Sequence, residues 1–237
     1  MNRKEIKEEA KKKIVGNKWK LIWPVLLVGL VIGIIEGILG NIAGVETATV
    51  EVSEEALEGK NAFEAFMIGF KDGMAEATPT PVWYELVMAL ISLVEAVFMV
   101  GYVKYVLNIV RTGEAKFNDI VDFFKTNWSR VLITSVVSGL IVFGLTLLLV
   151  IPGIIKALAF AMIDYLLVDT ELSPKEVRNK SQSMMNGYKW DYVVFNLSFI
   201  GWILLVPFTL GILLVWLFPY MTVAQALYYE KLKEING

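Results

Sequence analysis

The sequence predicts an all-α polytopic membrane bundle of six transmembrane helices. Three observations predict it. Of 237 residues, 56% are hydrophobic and 19% are charged, and mean hydropathy is +0.59; soluble domains hold ~45–50% apolar and ~25% charged residues. Six apolar runs occupy residues 21–40, 82–110, 131–151, 154–168, 192–206 and 211–229, to be set against the ~20 helical residues that cross a hydrocarbon core. Nineteen of the 22 basic residues fall on one side of a six-span arrangement. The positive-inside rule then puts both termini in the cytoplasm.

The elements follow in order. Residues 1–16 carry Ile6, Ala10 and Ile14 at helical spacing, with Glu8–Lys12 and Glu9–Lys13 pairs four apart, and predict an amphipathic surface helix. In the first span, Gly29, Gly33 and Gly37 repeat every fourth residue, a spacing that lets helix backbones approach closely. Residues 41–81 form a long outer loop with eight acids against Lys60 and Lys71. A short amphipathic helix is expected within it, on the stripe Phe63, Phe66, Met67, Phe70 and Met74. The second span, 82–110, is long enough to tilt or emerge.

Residues 114–128 predict a second surface helix on Phe117, Ile120, Val121, Phe124 and Trp128. The third and fourth spans turn at Pro152-Gly153. Residues 173–188 predict a third surface helix, opened by the capping box Ser173-Pro174-Lys175-Glu176. The fifth and sixth spans turn at residues 207–211, which hold Pro207 and Gly211. The fourth and fifth runs are short, and a re-entrant pair there would lower the count of true spans. The whole chain is thus one integral membrane domain.

An internal repeat is expected as well. Lys4-Glu5-Ile6, Gly16 and Lys18-Trp19 match Lys175-Glu176-Val177, Gly187 and Lys189-Trp190 without a gap. Trp19, Trp128 and Trp190 each lead from a surface helix into a span, where indole suits the headgroup level. The chain then reads as three units, each a surface helix followed by a transmembrane hairpin.

There is no Cys and no His. Disulfides, thiolate nucleophiles, imidazole bases and the usual Cys/His zinc sites are excluded. No phosphate loop, nucleophile elbow or metal motif is present, so neither enzyme activity nor a cofactor is expected. The spans hold four acids, Glu36, Glu85, Glu95 and Asp164, against one base, Lys156. A charge at mid-bilayer costs roughly 2.5–3.5 kcal/mol on insertion scales. These five residues are the candidate intramembrane polar site. Lys156 is expected near the outer surface, paired with Glu36 or Glu85. Glu95 and Asp164 lie deeper and need separate partners, water, a cation or a proton.

Residues 150–158 (Val-Ile-Pro-Gly-Ile-Ile-Lys-Ala-Leu), Gly187-Tyr188-Lys189-Trp190, the run 196–202 and Phe218-Pro219-Tyr220-Met221 resemble hallmarks of the bacterial membrane proteins grouped as domain of unknown function 975. The N-terminal Arg3-Lys4-Glu5-Ile6-Lys7 start is similar too. The resemblance implies a multi-pass protein of the bacterial plasma membrane and supplies no reaction or ligand. Two function classes stay open beside a weaker enzyme reading. One is a protein that handles or transports a lipid or small solute. The other is a non-transporting organiser of the membrane or of a partner complex. The partners expected are the lipid bilayer, anionic lipids at the basic cytoplasmic helices, and a second copy or another membrane protein. Nucleic acid is not expected, because no aromatic residues interleave the basic ones.

Overall fold

The computed structural model describes residues 2–45, 64 and 80–236. The acidic loop and the short helix expected within it fall almost wholly outside these residues. The described residues are all-helical. The order is α1 (Arg3–Ala43), α2 (Val82–Thr112), α3 (Phe117–Leu148), α4 (Val150–Ala159), α5 (Ile163–Asp169), α6 (Pro174–Met184), α7 (Lys189–Leu197), α8 (Ile200–Ile203), a 3₁₀ turn (Pro207–Thr209) and α9 (Leu214–Asn236). Five described segments are long and apolar enough to cross a membrane: Arg3–Ala43, Val82–Thr112, Phe117–Leu148, Val150–Asp169 and Lys189–Thr209. The sixth apolar run lies mostly in α9, which is not among the five. Its Tyr220, Gln225, Tyr228 and Tyr229, and the charges from Glu230 onward, lower its hydropathy.

Two compact units are present, one of Met1–Leu27 with Leu93–Gly237 and one of Val28–Ser92. In the smaller unit, the Tyr84 hydroxyl lies 3.8 Å from where a Cβ on Gly40 would sit. Nothing described lies within 4 Å of the corresponding positions on Gly29, Gly33 and Gly37.

The larger unit has a dense core. Tyr102, Tyr105, Phe195, Phe199, Tyr228 and Tyr229 are among its largest fully buried side chains. Aromatic contacts join them: Phe195 meets Phe199 at 5.4 Å and Tyr228 at 5.0 Å, and Tyr165 stacks on Tyr229 at 5.0 Å. Such pairs add ~0.5–1.5 kcal/mol each beyond their burial. Outside this core the surface is apolar, with Ile133, Leu140, Leu147, Ile151, Leu204 and Trp216 all exposed. That surface suits hydrocarbon rather than water.

Local sequence explains the breaks. At Asn17 the backbone leaves helical geometry (φ −128°, ψ 17°), so residues 3–16 form a helix distinct from the apolar stretch that follows. Ile6 and Ala10 are buried, and Ile14 packs against the same core, so the expected stripe faces inward. Pro24 has no N–H and therefore leaves the Lys20 carbonyl without its usual donor. The Tyr105 hydroxyl donates to that carbonyl at 3.0 Å, and Tyr102 donates to the carbonyl of Leu21 at 2.8 Å.

The α3–α4 hairpin turns at Leu149 (φ −155°, ψ 125°), not at Pro152-Gly153. Proline is compatible with the first turn of a helix, where the N–H would be unpaired in any case, so the break moves upstream and Pro152 sits inside α4. Gly153 serves a different purpose. A Cβ there would collide with Thr146 Oγ1 and lie 2.8 Å from Thr146 Cα, so only glycine permits this closeness of α3 and α4. The turn at residues 207–211 forms as expected, with Leu210 (φ 49°) and Gly211 (φ 81°) left-handed.

Between α4 and α5 the helix breaks at residues 160–162. Ser181 of α6 repairs it: its hydroxyl donates to the Ala159 carbonyl at 2.8 Å and accepts from the Met162 N–H at 3.2 Å. α6 therefore runs back alongside the preceding segment. Its start carries the expected capping contacts, with the Ser173 N–H and hydroxyl both donating to Glu176 Oε2, at 2.9 and 2.6 Å. These bonds hold the Glu176 carboxyl below its usual range.

Candidate functional site

Among the described residues, no hydrogen bond or ion pair joins any two of the candidate intramembrane charges. Lys156 Nζ donates to Gln182 Oε1 at 2.6 Å and lies 5.0 Å from the Phe160 ring centre. The partner is thus a neutral amide on α6, where a carboxylate of an earlier span was expected. The reason is the return path of α6, which brings Gln182 beside α4. Glu85 is exposed and accepts a hydrogen bond from the Thr80 hydroxyl. Glu36 and Glu95 are half-buried and Asp164 lies on an exposed face of α5. None of these three has a hydrogen bond or ion pair among the described residues.

Charge converges at the ends of α2, α5 and α9. Arg111 pairs with Asp169 at 2.9 Å and with Glu230 at 2.6 Å. Asp169 also accepts from the Tyr229 hydroxyl at 2.9 Å and from Lys233 at 2.5 Å. One carboxylate thus gathers three donors from two other helices. This network clamps the C-terminal ends of three helices, and its internal pairing makes it a structural joint.

A cavity with an unpaired polar group lies on the larger unit. It is an apolar cleft of about 390 Å³, within the ~300–1,000 Å³ of small-molecule sites. Lys11, Ile14 and Val15 of α1 form one wall, Trp202 of α8 another, and Leu213 with Trp216, Leu217 and Tyr220 of α9 the third. The left-handed turn at Leu210–Gly211 lies in the chain between Trp202 and Trp216. Trp19 reaches across from α1, with its ring centre 6.3 Å from that of Trp216. Trp19, Trp202 and Trp216 are all exposed. Aromatic residues of this kind mark the boundary between hydrocarbon and headgroups.

The wall formed by residues 3–16 is held by polar contacts at its ends. Glu5 pairs with Lys231 at 3.2 Å and Arg3 with Asp191 at 3.8 Å. Lys7 Nζ donates to the Ser198 carbonyl at 3.0 Å and sits 4.2 Å from the Phe199 ring centre. Lys13 Nζ donates to the Val110 carbonyl at 2.7 Å. Lys11 is the charged residue of the cleft, is exposed, and has no hydrogen bond or ion pair among the described residues.

Sequence reasoning did not single out the cleft. Its one available signal was the placing of Trp202 and Trp216 on either side of a Pro…Gly turn in two short apolar runs. The Arg111–Asp169–Glu230 joint gave less, since its members lie 58 to 119 residues apart in the chain.

Residues 135–236 match the family described as protein of unknown function (DUF975), the family that the motifs resemble. The match takes in Trp202, Leu213, Trp216, Leu217 and Tyr220 but not Lys11, Ile14 or Val15. No curated protein and no solved structure matches the chain.

Proposed function

We propose that this multi-pass protein handles lipid, holding an acyl chain or a similarly apolar small solute in the cleft between residues 11–15, α8 and α9. The single observation that carries the reading is the cleft itself: about 390 Å³ in volume, walled by two tryptophans and aliphatic residues, with Lys11 as its charged group. An apolar recess in a membrane protein has lipid as its most abundant available occupant. The reading includes a bacterial plasma-membrane location with both termini cytoplasmic, supported by the distribution of lysine and arginine. It includes no catalytic step.

The test uses the purified protein in detergent and single-chain amphiphiles whose acyl chain carries bromine, which quenches indole fluorescence on contact. Wild-type protein should show a saturable quenching component for at least one headgroup. Trp202→Phe/Trp216→Phe protein should lose most of that component, with Trp19 the indole left beside the cleft, while keeping its thermal stability. Quenching that rises without saturation in wild type, or that is unchanged in the double variant, would contradict the reading and favour a non-transporting organiser.

A transport role is a second reading, favoured by the absence of described partners for Glu95 and Asp164. Unpaired carboxylates in a span are expensive and are commonly kept for ion or proton pathways. Asp164→Asn and Glu95→Gln should then fold normally and abolish a flux measured in proteoliposomes. A flux that survives both substitutions would remove the carboxylates from any such role.

A further inference from the structure

The cleft is not electrically symmetric, and its asymmetry bears on what enters it. Residues 3–16 are helical, so Lys4, Lys7, Lys11 and Val15 fall on one row, at spacings of three and four. The row runs along the edge of the cleft, which Lys11 and Val15 themselves line. Of the acids of the same helix, Glu5 is paired with Lys231 and Glu9 lies off the row, whereas Glu8, four residues after Lys4 and three before Lys11, shares it. Lys7 is engaged by the Ser198 carbonyl and the Phe199 ring. Among the described residues, Lys4 and Lys11 have no hydrogen bond or ion pair, and no carboxylate lines the cleft. The remaining walls are aromatic and aliphatic. An apolar space is therefore bordered by the stem of Lys11, whose ammonium group is unpaired among the described residues, with Lys4 two turns earlier on the same helix.

We infer that the cleft selects an amphiphile with one acyl chain and an anionic head, the chain between Trp202 and Trp216 and the head at Lys11 and Lys4. The inference rests on the lipid-handling reading and adds the headgroup class. A fatty acid and a lysophosphatidic acid share the required chemistry, a single chain ending in a carboxylate or a phosphate monoester. Lysine suits both, since it acts as a point charge and not as a planar fork. The chain gains burial against indole, and the head gains an ion pair next to low-dielectric walls. A neutral head of the same chain length gains only the first.

The experiment compares three brominated probes of equal chain length: a fatty acid, a lysophosphatidic acid and a monoacylglycerol. Each is titrated into wild-type protein, into Lys11→Gln and into Lys4→Gln/Lys11→Gln, by saturable tryptophan quenching at low and high salt. Wild type should bind the anionic probes more tightly than the neutral one, with the difference shrinking at high salt. Lys11→Gln should weaken the anionic probes about five-fold, which is the ~1 kcal/mol that one basic residue contributes near an anionic surface, and the double variant should weaken them further. The neutral probe should be unaffected. Comparing the fatty acid with the lysophosphatidic acid tells carboxylate from phosphate.

Saturable binding of all three probes with equal affinity would overturn the headgroup inference while leaving the cleft reading intact. An anionic preference unchanged in the double variant would also overturn it, because the charge would then be read elsewhere. Saturable binding of no probe would remove the cleft reading and the inference together. Wild-type headgroup preference and its salt dependence decide the matter even if a lysine variant fails to fold.

Discussion

The hairpin of α3 and α4 and the hairpin that leads from α8 into α9 are built from similar apolar runs, yet one is closed and the other holds a cleft. The difference lies at single residues. In the first hairpin, Leu149 alone makes the turn, and Gly153 then lets α4 lie so close to Thr146 that a methyl group would collide with its backbone. No room is left between the helices. In the second, Pro207 starts a 3₁₀ turn and two left-handed residues, Leu210 and Gly211, follow. Several residues separate the helices at the turn, and two tryptophans face the opening. Glycine brings one pair of helices together and lets the chain turn left-handed between the other pair.

The comparison can be broken from the closed side first. Gly153→Val should force α3 and α4 apart, and the clash involves Thr146 Cα as well as its hydroxyl, so no side-chain rotation relieves it. Overpacking and backbone displacement cost several kcal/mol at the upper end of single mutations, roughly 3–5 kcal/mol. Thermal unfolding in detergent, followed by size-exclusion chromatography, should show a large loss of folded protein.

Ser181→Ala should be next. It removes the hydroxyl that bridges the Ala159 carbonyl and the Met162 N–H across the α4–α5 break. Leaving buried polar groups unmet costs ~1–3 kcal/mol, read as a lowered unfolding midpoint. Ser181→Thr, which keeps the hydroxyl, should recover part of it. On the open side, Gly211→Ala should cost roughly 1–2 kcal/mol, because an L-residue disfavours the left-handed region; no described atom lies within 4 Å of the added methyl, so the penalty is conformational.

The smallest effect concerns α6. Glu176 is fully ionised at neutral pH, and its bonds to Ser173 hold its carboxyl below the ordinary value of 4.5. A depressed folded-state pKa gives stability that is present above the unfolded value and is lost as pH falls through the folded one. The stability difference between wild type and Glu176→Gln should therefore shrink as pH is lowered through and below 4.5. A difference that stays constant over that range would mean that the carboxylate charge has no part in the cap.

How much of this was legible in the sequence depends on whether the cause was local. Apolar run length and lysine placement announce an all-helical membrane protein, because each run must satisfy its own backbone in lipid. The stripe Ile6, Ala10 and Ile14 and the capping box at Ser173 were legible for the same reason: their partners lie within one or two turns. The turn between α3 and α4 was misplaced by three residues, since proline is equally at home before a helix and in its first turn. The partner of Lys156 was missed because it depends on the path of α6, which is set by Ser181 meeting a helix break 19 to 22 residues upstream. The cleft was missed for a related reason. It is a space between three segments far apart in the chain, and no single stretch of sequence encodes its walls. The carboxylates Glu36, Glu85, Glu95 and Asp164 drew attention by their cost in a membrane, and that cost names no partner for any of them.

The most direct test of the cleft exploits the absence of cysteine. A single Cys at Leu213, on the cleft wall, and another at Ile133, on an exposed apolar face of α3, can be alkylated by a maleimide in detergent with and without a saturating single-chain anionic amphiphile. A lipid-holding cleft predicts that the amphiphile slows labelling of Leu213→Cys at least ten-fold and leaves Ile133→Cys unchanged. Equal slowing at both positions, or none at Leu213→Cys, would contradict it.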